Sequence, residues 1–309
     1  MGRYLTCLLP LLLIFGCTHD VQRSALTPNK LVSGNRDHHR LIVALTFDFD
    51  AESYWVGPAK MTSPSAISRG TYGATEGIPR ILKLLKKYNV PATFFIPGYT
   101  ADLYPDLVKT IAEGGYEIGH HGYLHEPPNM LQPEEEKKVI VKGIKALQRI
   151  TGKRPRGFRS PSAELSPNTI EFLAQEGFLY DSSLLGADRP YWARDKNEKC
   201  IVEIPISVEL TDSPHFMFLY HPIVLPGLSS PSKVEEVWRG DFDGFYSEGK
   251  DAVFVLTCHP QIIGRPHRMQ MLDRFIAYML RHEGVWFARM EEIANLFKQR
   301  QSQCIEPTL

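Results

Sequence analysis

The sequence carries no surplus charge of either sign. Thirty-five Lys and Arg balance thirty-five Asp and Glu in 309 residues. Composition therefore provides no global basic field to hold nucleic acid. Cysteine is scarce at five residues. Cys7 and Cys17 lie near the N-terminus. Cys200, Cys258 and Cys304 are odd in number and widely spaced, so they define neither a disulfide framework nor a Cys-based zinc pattern. Cys258 sits in an apolar run and reads as a small core residue. No Gly-rich fingerprint follows the first strand-like segment, which argues against a dinucleotide-binding open sheet. No fixed-period repeat is present. The apolar run from Tyr4 to Gly16 is too short to span a bilayer comfortably.

That run follows Arg3 and ends at Gly16-Cys17. A basic start, a short apolar stretch and a small residue before a cut fit an export signal. Ile14, Gly16 and Cys17 also suit a bacterial lipoprotein cleavage box, although Phe15 departs from it. Residues 1–17 are therefore expected to be a signal, with lipid on Cys17 anchoring the chain to a membrane. An ordinary signal peptide or an uncleaved anchor is the alternative. Residues 18–40 are polar and read as a tether, with His38-His39 as solvated linker. Residues 41–300 read as one folded domain and 301–309 as a tail.

Within the domain, short apolar runs alternate with amphipathic stretches. Strands are expected at 41–47, 92–96, 116–119, 157–160, 179–182, 201–206, 253–258 and 285–288. Helices are expected at 76–88, 101–113, 134–150, 167–175, 233–246 and 267–281, with a last one from about 291. Such alternation implies βαβ units and a parallel sheet. About seven units in this length suit a closed barrel better than an open sheet. Segments 186–200 and 211–232 read as long loops walling a cleft.

In βα barrels chemistry sits where strands end. Asp48 and Asp50 lie two apart at the end of the first strand and share a face with Thr46, Ala44 and Ile42. Two carboxylates projecting together favour a cation; the bland reading is a solvated loop entry. His121 and His125 follow the third strand, and on one helical turn both would face the same side and could bind a metal. His120 points away. His259 follows the strand 253–258 and could donate a proton, or be a satisfied core histidine. Arg159 suits orienting a carboxylate. Asp181 suits tuning a histidine. Taken singly, Arg159 and Asp181 fit a structural ion pair as well. Trp55, Tyr191 and Trp192 are candidate sugar-stacking surface.

Together, Thr46-Phe47-Asp48-Phe49-Asp50, His121-Gly-Tyr-Leu-His125, Arg159-Ser-Pro161 and Thr257-Cys-His259-Pro260 resemble, in order, the motifs of the polysaccharide deacetylase family (NodB-like, carbohydrate esterase family 4). The text around Asp181 and from His259 to Pro266 resembles the branch holding peptidoglycan-deacetylase-like and allantoinase-like proteins. The resemblance implies a single-domain α/β fold, a distorted (β/α)7 barrel. It implies Asp48 as general base, and Asp50, His121 and His125 as ligands of one divalent metal, zinc first. It implies His259 as general acid, Arg159 holding Asp48 and Asp181 tuning His259. Phe49 separates two Asp residues that most of the family has adjacent, and Ser162 stands where an aromatic or Gly is usual.

The expected activity is hydrolysis of N-acetyl groups on an envelope glycan, peptidoglycan first, by an exported protein in the periplasm or at the cell surface. A cyclic amide hydrolase and a non-catalytic carbohydrate-binding surface protein are the alternatives. Relatives in this branch make a homotetramer the expected assembly.

Overall fold

In a computed structural model of the protein, residue 2 and residues 39–219, 224–249, 252–301 and 304 are described. The expected signal, Cys17 and most of the tether lie outside them.

Eight consecutive residues, Leu41–Asp48 (β1), are all buried. A strand covered on both faces reads as a continuous apolar run rather than an alternation, and Leu41-Ile-Val-Ala-Leu45 does so. The further strands are Thr93–Ile96 (β2), Glu117–His120 (β3), Gly157–Phe158 (β4), Tyr180–Asp181 (β5), Tyr191–Arg194 (β6), Cys200–Glu203 (β7), Phe218–Leu219 (β8), Leu225–Pro226 (β9), Val253–Cys258 (β10) and Val285–Phe287 (β11). The main sheet runs β10-β1-β2-β3-β4-β5-β7-β6, with β11 pairing the start of β1. All its pairings are parallel except the β6–β7 hairpin. It curls into a distorted (β/α) barrel in one domain.

Prolines at the first turn set the starts of Pro105–Glu113, Pro133–Thr151, Pro231–Glu248 and Pro266–Met279, where the missing N–H costs nothing. Outward-facing Val43, Leu45, Phe47, Phe254 and Leu256 pack in one cluster with Ile81, Leu85, Trp238, Phe242 and Phe275 of the flanking helices. Inward-facing Ile42, Ala44, Val253, Val255 and Tyr180 form a second cluster with Met290, Ile293 and Phe297 from the C-terminal helix. The lower barrel interior is thus filled by apolar side chains, and the site residues gather at the strands' C-terminal ends.

Between β7 and β10 the sheet does not close by a full ladder. The seam is spanned by Thr257 N–H donating to Leu210 O at 2.9 Å, by the single bridge Thr211–Thr257, and by Val253 N–H donating to Asp188 O at 3.0 Å. This seam decides part of the site below.

Several expectations need correction. The helix expected at 101–113 is two, Gly98–Leu103 and Pro105–Glu113, because Tyr104 precedes a proline and leaves helical geometry. The segment 186–200, expected as loop, contains β6. The segment 211–232 contains a short helix, Asp212–Phe216, and the β8–β9 hairpin. His39, expected as solvated linker, stacks on Trp286 with ring centroids 4.5 Å apart. Cys200 and Cys304 form a disulfide across 104 residues; sequence spacing alone cannot reveal a pairing of this length. It ties residue 304 to the β6–β7 hairpin, where Arg194 also donates to Cys304 O at 2.7 Å.

Closing a loop of this size stabilises a fold by up to about 4–5 kcal/mol through the unfolded state. Cys200→Ser should therefore lower the thermal midpoint of the oxidised protein and leave that of the reduced protein unchanged. Equal midpoints for variant and wild type under oxidising conditions would contradict the pairing.

Candidate metal centre and active site

Alternation along β1 puts Thr46 and Asp48 on the inward face above Ile42 and Ala44. Beyond the strand, Thr100 Oγ1 donates to Asp50 O at 2.5 Å and Ser53 Oγ to the same carbonyl at 2.7 Å. These bonds fix the backbone at Asp50 and turn its side chain into the barrel mouth, where it is 2% exposed.

His121 and His125 arrive after β3 on an irregular loop, not on the helical turn expected from their spacing. Gly122 and His125 both take left-handed backbone, φ +72° and +61°. Strain of that kind in a non-glycine residue persists only where its surroundings impose it. Here Glu126 clasps the loop, its Oε2 accepting from Tyr123 N at 3.1 Å and Leu124 N at 2.7 Å. The result sets His121 Nε2 at 3.5 Å and His125 Nε2 at 3.7 Å from Asp50 Oδ1. All three residues are buried, and their donor atoms lie within 4.8 Å of one another.

Burial lowers the pKa of His121 to about 3, and burial followed by its histidine neighbours pushes His125 well down. Both rings are therefore neutral near pH 7. His121 Nδ1 lies 2.8 Å from Arg159 O. A carbonyl can only accept, so Nδ1 carries the proton and the Nε2 lone pair faces Asp50. Burial foremost raises Asp50 to about 7, partly offset by His259. Among the described residues, Asp50 Oδ1 accepts from no protein group, and His125 Nδ1 donates to none. A buried carboxylate oxygen facing two neutral imidazoles, at least one of them through its lone pair, fits a divalent cation.

Asp48 is held by Arg159, whose Nη1 lies 3.1 Å from Asp48 Oδ1. The guanidinium, 1% exposed, also donates to Thr46 Oγ1, Thr257 Oγ1, Ser182 O and Ser182 Oγ, and stacks over Phe95 at 4.3 Å. Its planar fork leaves little freedom to the carboxylate it faces. On the opposite side, His259 Nε2 is 4.0 Å from Asp48 Oδ2 and 3.9 Å from Asp50 Oδ2.

The carboxylate on His259 is Asp212, not Asp181. Asp212 Oδ1 lies 2.6 Å from His259 Nδ1, and Oδ2 accepts His259 N–H at 2.9 Å. Burial alone would lower the His259 pKa, but Asp212, Asp50 and Asp48 outweigh it and raise it to about 10. The Thr211–Thr257 bridge across the seam is what sets Asp212 beside His259. Asp181 instead pairs in register with Glu203 of β7 and accepts from Ser183 Oγ at 2.7 Å. Burial and then Asp181 push Glu203 well up, so Glu203 holds the proton between them.

Of the expected stacking aromatics, Trp55 is 3% exposed beneath Arg69. Trp192 packs on Phe297 at 5.4 Å. Tyr191 is half-buried near Glu203 and Asp181, which with burial raise its pKa. The aromatic at the metal centre is Tyr54, which sequence reading passed over. Its ring stands edge-on to His125 at 5.4 Å, and burial and then Asp50 raise its pKa. Asp212 and Gln261 were likewise missed. Gln261 Nε2 donates to Asp50 Oδ2 at 3.0 Å.

A buried cation site flanked by a clamped carboxylate and a protonated imidazole is the layout of a hydrolase acting on an acyl bond. Comparisons with known proteins agree. The family model for polysaccharide deacetylase matches residues 35–180. The peptidoglycan deacetylase of Helicobacter pylori is 36% identical over 284 residues, covering 84% of this chain and 97% of that protein. A solved structure from Mycobacterium smegmatis that bears the name polysaccharide deacetylase superposes with a TM-score of 0.82 at 37% identity, covering 92% of this chain and all of that one. An allantoinase structure superposes with a TM-score of 0.78 at 26% identity, covering 87% of this chain and 94% of its own. The chain belongs to the polysaccharide deacetylase family.

Because the Asp50 proton must leave for a cation to bind, affinity should follow Asp50 ionisation. The apparent dissociation constant for Zn2+ should weaken about tenfold per pH unit below 7 and level off above it, measured by competition with a chelator. The imidazoles, titrating far lower, add no slope in this window. A flat profile between pH 5.5 and 7.5 would contradict the assignment.

Proposed function

We propose that this protein is an exported, metal-dependent deacetylase that removes N-acetyl groups from a cell-envelope glycan, peptidoglycan first. The observation that carries the reading is the cluster in which Asp50, His121 and His125 converge beside the Arg159–Asp48 and Asp212–His259 pairs. A cluster with every reactive group in contact argues against a purely carbohydrate-binding role.

A divalent ion held by Asp50, His121 and His125, zinc first, would supply Lewis acidity toward the acyl oxygen and the attacking water. Asp48 accepts the proton of that water, its orientation set by Arg159. His259, protonated because Asp212 holds its Nδ1–H, donates from Nε2 to the departing amide nitrogen. The carbon–nitrogen bond breaks, and acetate and a free amine result.

Export is supported by the N-terminal apolar run and by the Cys200–Cys304 disulfide, since disulfides persist in oxidising compartments. Lipid on Cys17 would keep the enzyme beside the wall. The allantoinase likeness supports a second reading, opening of a small cyclic amide with the same groups. The two part on one assay of the purified protein, with and without chelator. Acetate released from peptidoglycan is expected, with no ring opening of allantoin or succinimide; the reverse pattern would establish the second reading.

Two substitutions test the roles. Asp48→Asn should cut kcat by about 10²–10⁴-fold while leaving metal affinity near wild type. Unchanged kcat would remove Asp48 from the chemistry. Asp212→Asn should move the alkaline limb of kcat. A general acid works only while protonated, so activity falls as pH rises through its pKa. Removing the carboxylate that raises His259 to about 10 shifts that fall toward the ordinary histidine range. A limb that stays in place would show that Asp212 does not set the acid.

A further inference from the structure

Asp50 is not positioned by β1 alone. Its Oδ1 faces the two imidazoles, whereas its Oδ2 accepts the Nε2–H of Gln261 at 3.0 Å. An ionised carboxylate only accepts, which fixes the amide with nitrogen toward Asp50 and Oε1 away from it. Gln261 sits on the one-turn helix Pro260–Ile263, directly after His259.

The backing of that turn is unusual. Residues Gly73–Gly77 form a π-helical segment between the helices Pro64–Tyr72 and Ile78–Tyr88. A π turn is rare and is found mostly at functional sites. A Cβ placed on Gly73 would come within 3.0 Å of Gln261 N, 3.1 Å of Gln261 Cβ and 3.2 Å of Gln261 Oε1. On Gly77 it would run into the carbonyl of Pro260, and on Gly264 into the same carbonyl and Gly77 Cα. Three glycines thus clear the space into which the turn carrying Gln261 is pressed.

We propose that Gln261 is a positioning residue of the metal centre, seated by the glycine-lined π segment Gly73–Gly77. By holding Oδ2, it leaves Oδ1 facing the two imidazoles that would hold the cation. Without it, Asp50 could rotate to offer both oxygens, and His259 Nε2, 3.9 Å from the same Oδ2, could take the carboxylate as an ion pair. Gln261 therefore keeps the metal ligand and the acid imidazole apart. The inference rests on the metal reading above.

The test uses the full-length protein. Gln261→Met keeps the length and removes the donor. Gln261→Asn keeps the amide but shortens its reach, and Gly73→Ala crowds Gln261 from behind. Zn2+ affinity is read by competition with a chromophoric chelator, and coordination by the visible spectrum of the Co2+-loaded protein. Loss of an outer partner of a metal ligand costs about 10–100-fold in affinity. That loss and an altered cobalt spectrum are expected for Gln261→Met and Gln261→Asn, with a shift in the same direction for Gly73→Ala. Far-UV circular dichroism separates this from unfolding, and a folded Gln261 variant decides even if Gly73→Ala does not fold. Wild-type affinity with an unchanged cobalt spectrum in both Gln261 variants overturns the inference alone. A wild-type protein that binds no divalent ion overturns the metal reading together with it.

Discussion

A carboxylate buried against two uncharged imidazoles cannot be balanced by those three groups themselves. Asp50 loses hydration at 2% exposure, and neither His121 nor His125 can bring a positive charge to it near neutral pH. A divalent cation would resolve the conflict, replacing lost hydration with direct coordination. Much of the surrounding structure makes sense as maintenance of this arrangement. The left-handed backbone at His125, the Glu126 clasp and the carbonyl of Arg159 on His121 each hold a ligand in an orientation that the chain would not choose unaided.

Around that centre the other charges are sorted by partner. Arg159 faces Asp48, and Asp212 faces His259, so one carboxylate is held by a guanidinium and one imidazole by a carboxylate beside the candidate cation site. The separation depends on the barrel. Asp48 ends β1 and Arg159 follows β4, three strands away in the parallel sheet, whereas Asp212 comes from the seam where the sheet fails to close. The same irregularity that distorts the barrel thus supplies the carboxylate that pairs with His259.

The strand-end groups were legible in the sequence because period-two alternation and strand termini can be read locally. Asp48, Asp50, His121, His125, Arg159 and His259 all lie at or just beyond expected strand ends, and the structure brings them together. Asp212 was not legible. It reaches His259 through one isolated bridge in a segment with no strand pattern, and Asp181, which does end a recognisable strand, was chosen in its place. Gln261 was hidden for a similar reason: its contact depends on three glycines, two of them nearly two hundred residues earlier in the chain. Trp55 and Trp192 misled because aromatic character in a loop does not distinguish a stacking surface from core packing. The Cys200–Cys304 pair shows the same limit for long-range covalent pairing.

The most direct check is an anomalous-difference map from crystals of the protein grown with Zn2+. A single strong peak enclosed by Asp50, His121 and His125, with Gln261 still on the far oxygen of Asp50, is the expected result. Zinc bound elsewhere while these three side chains turn away from one another would contradict it.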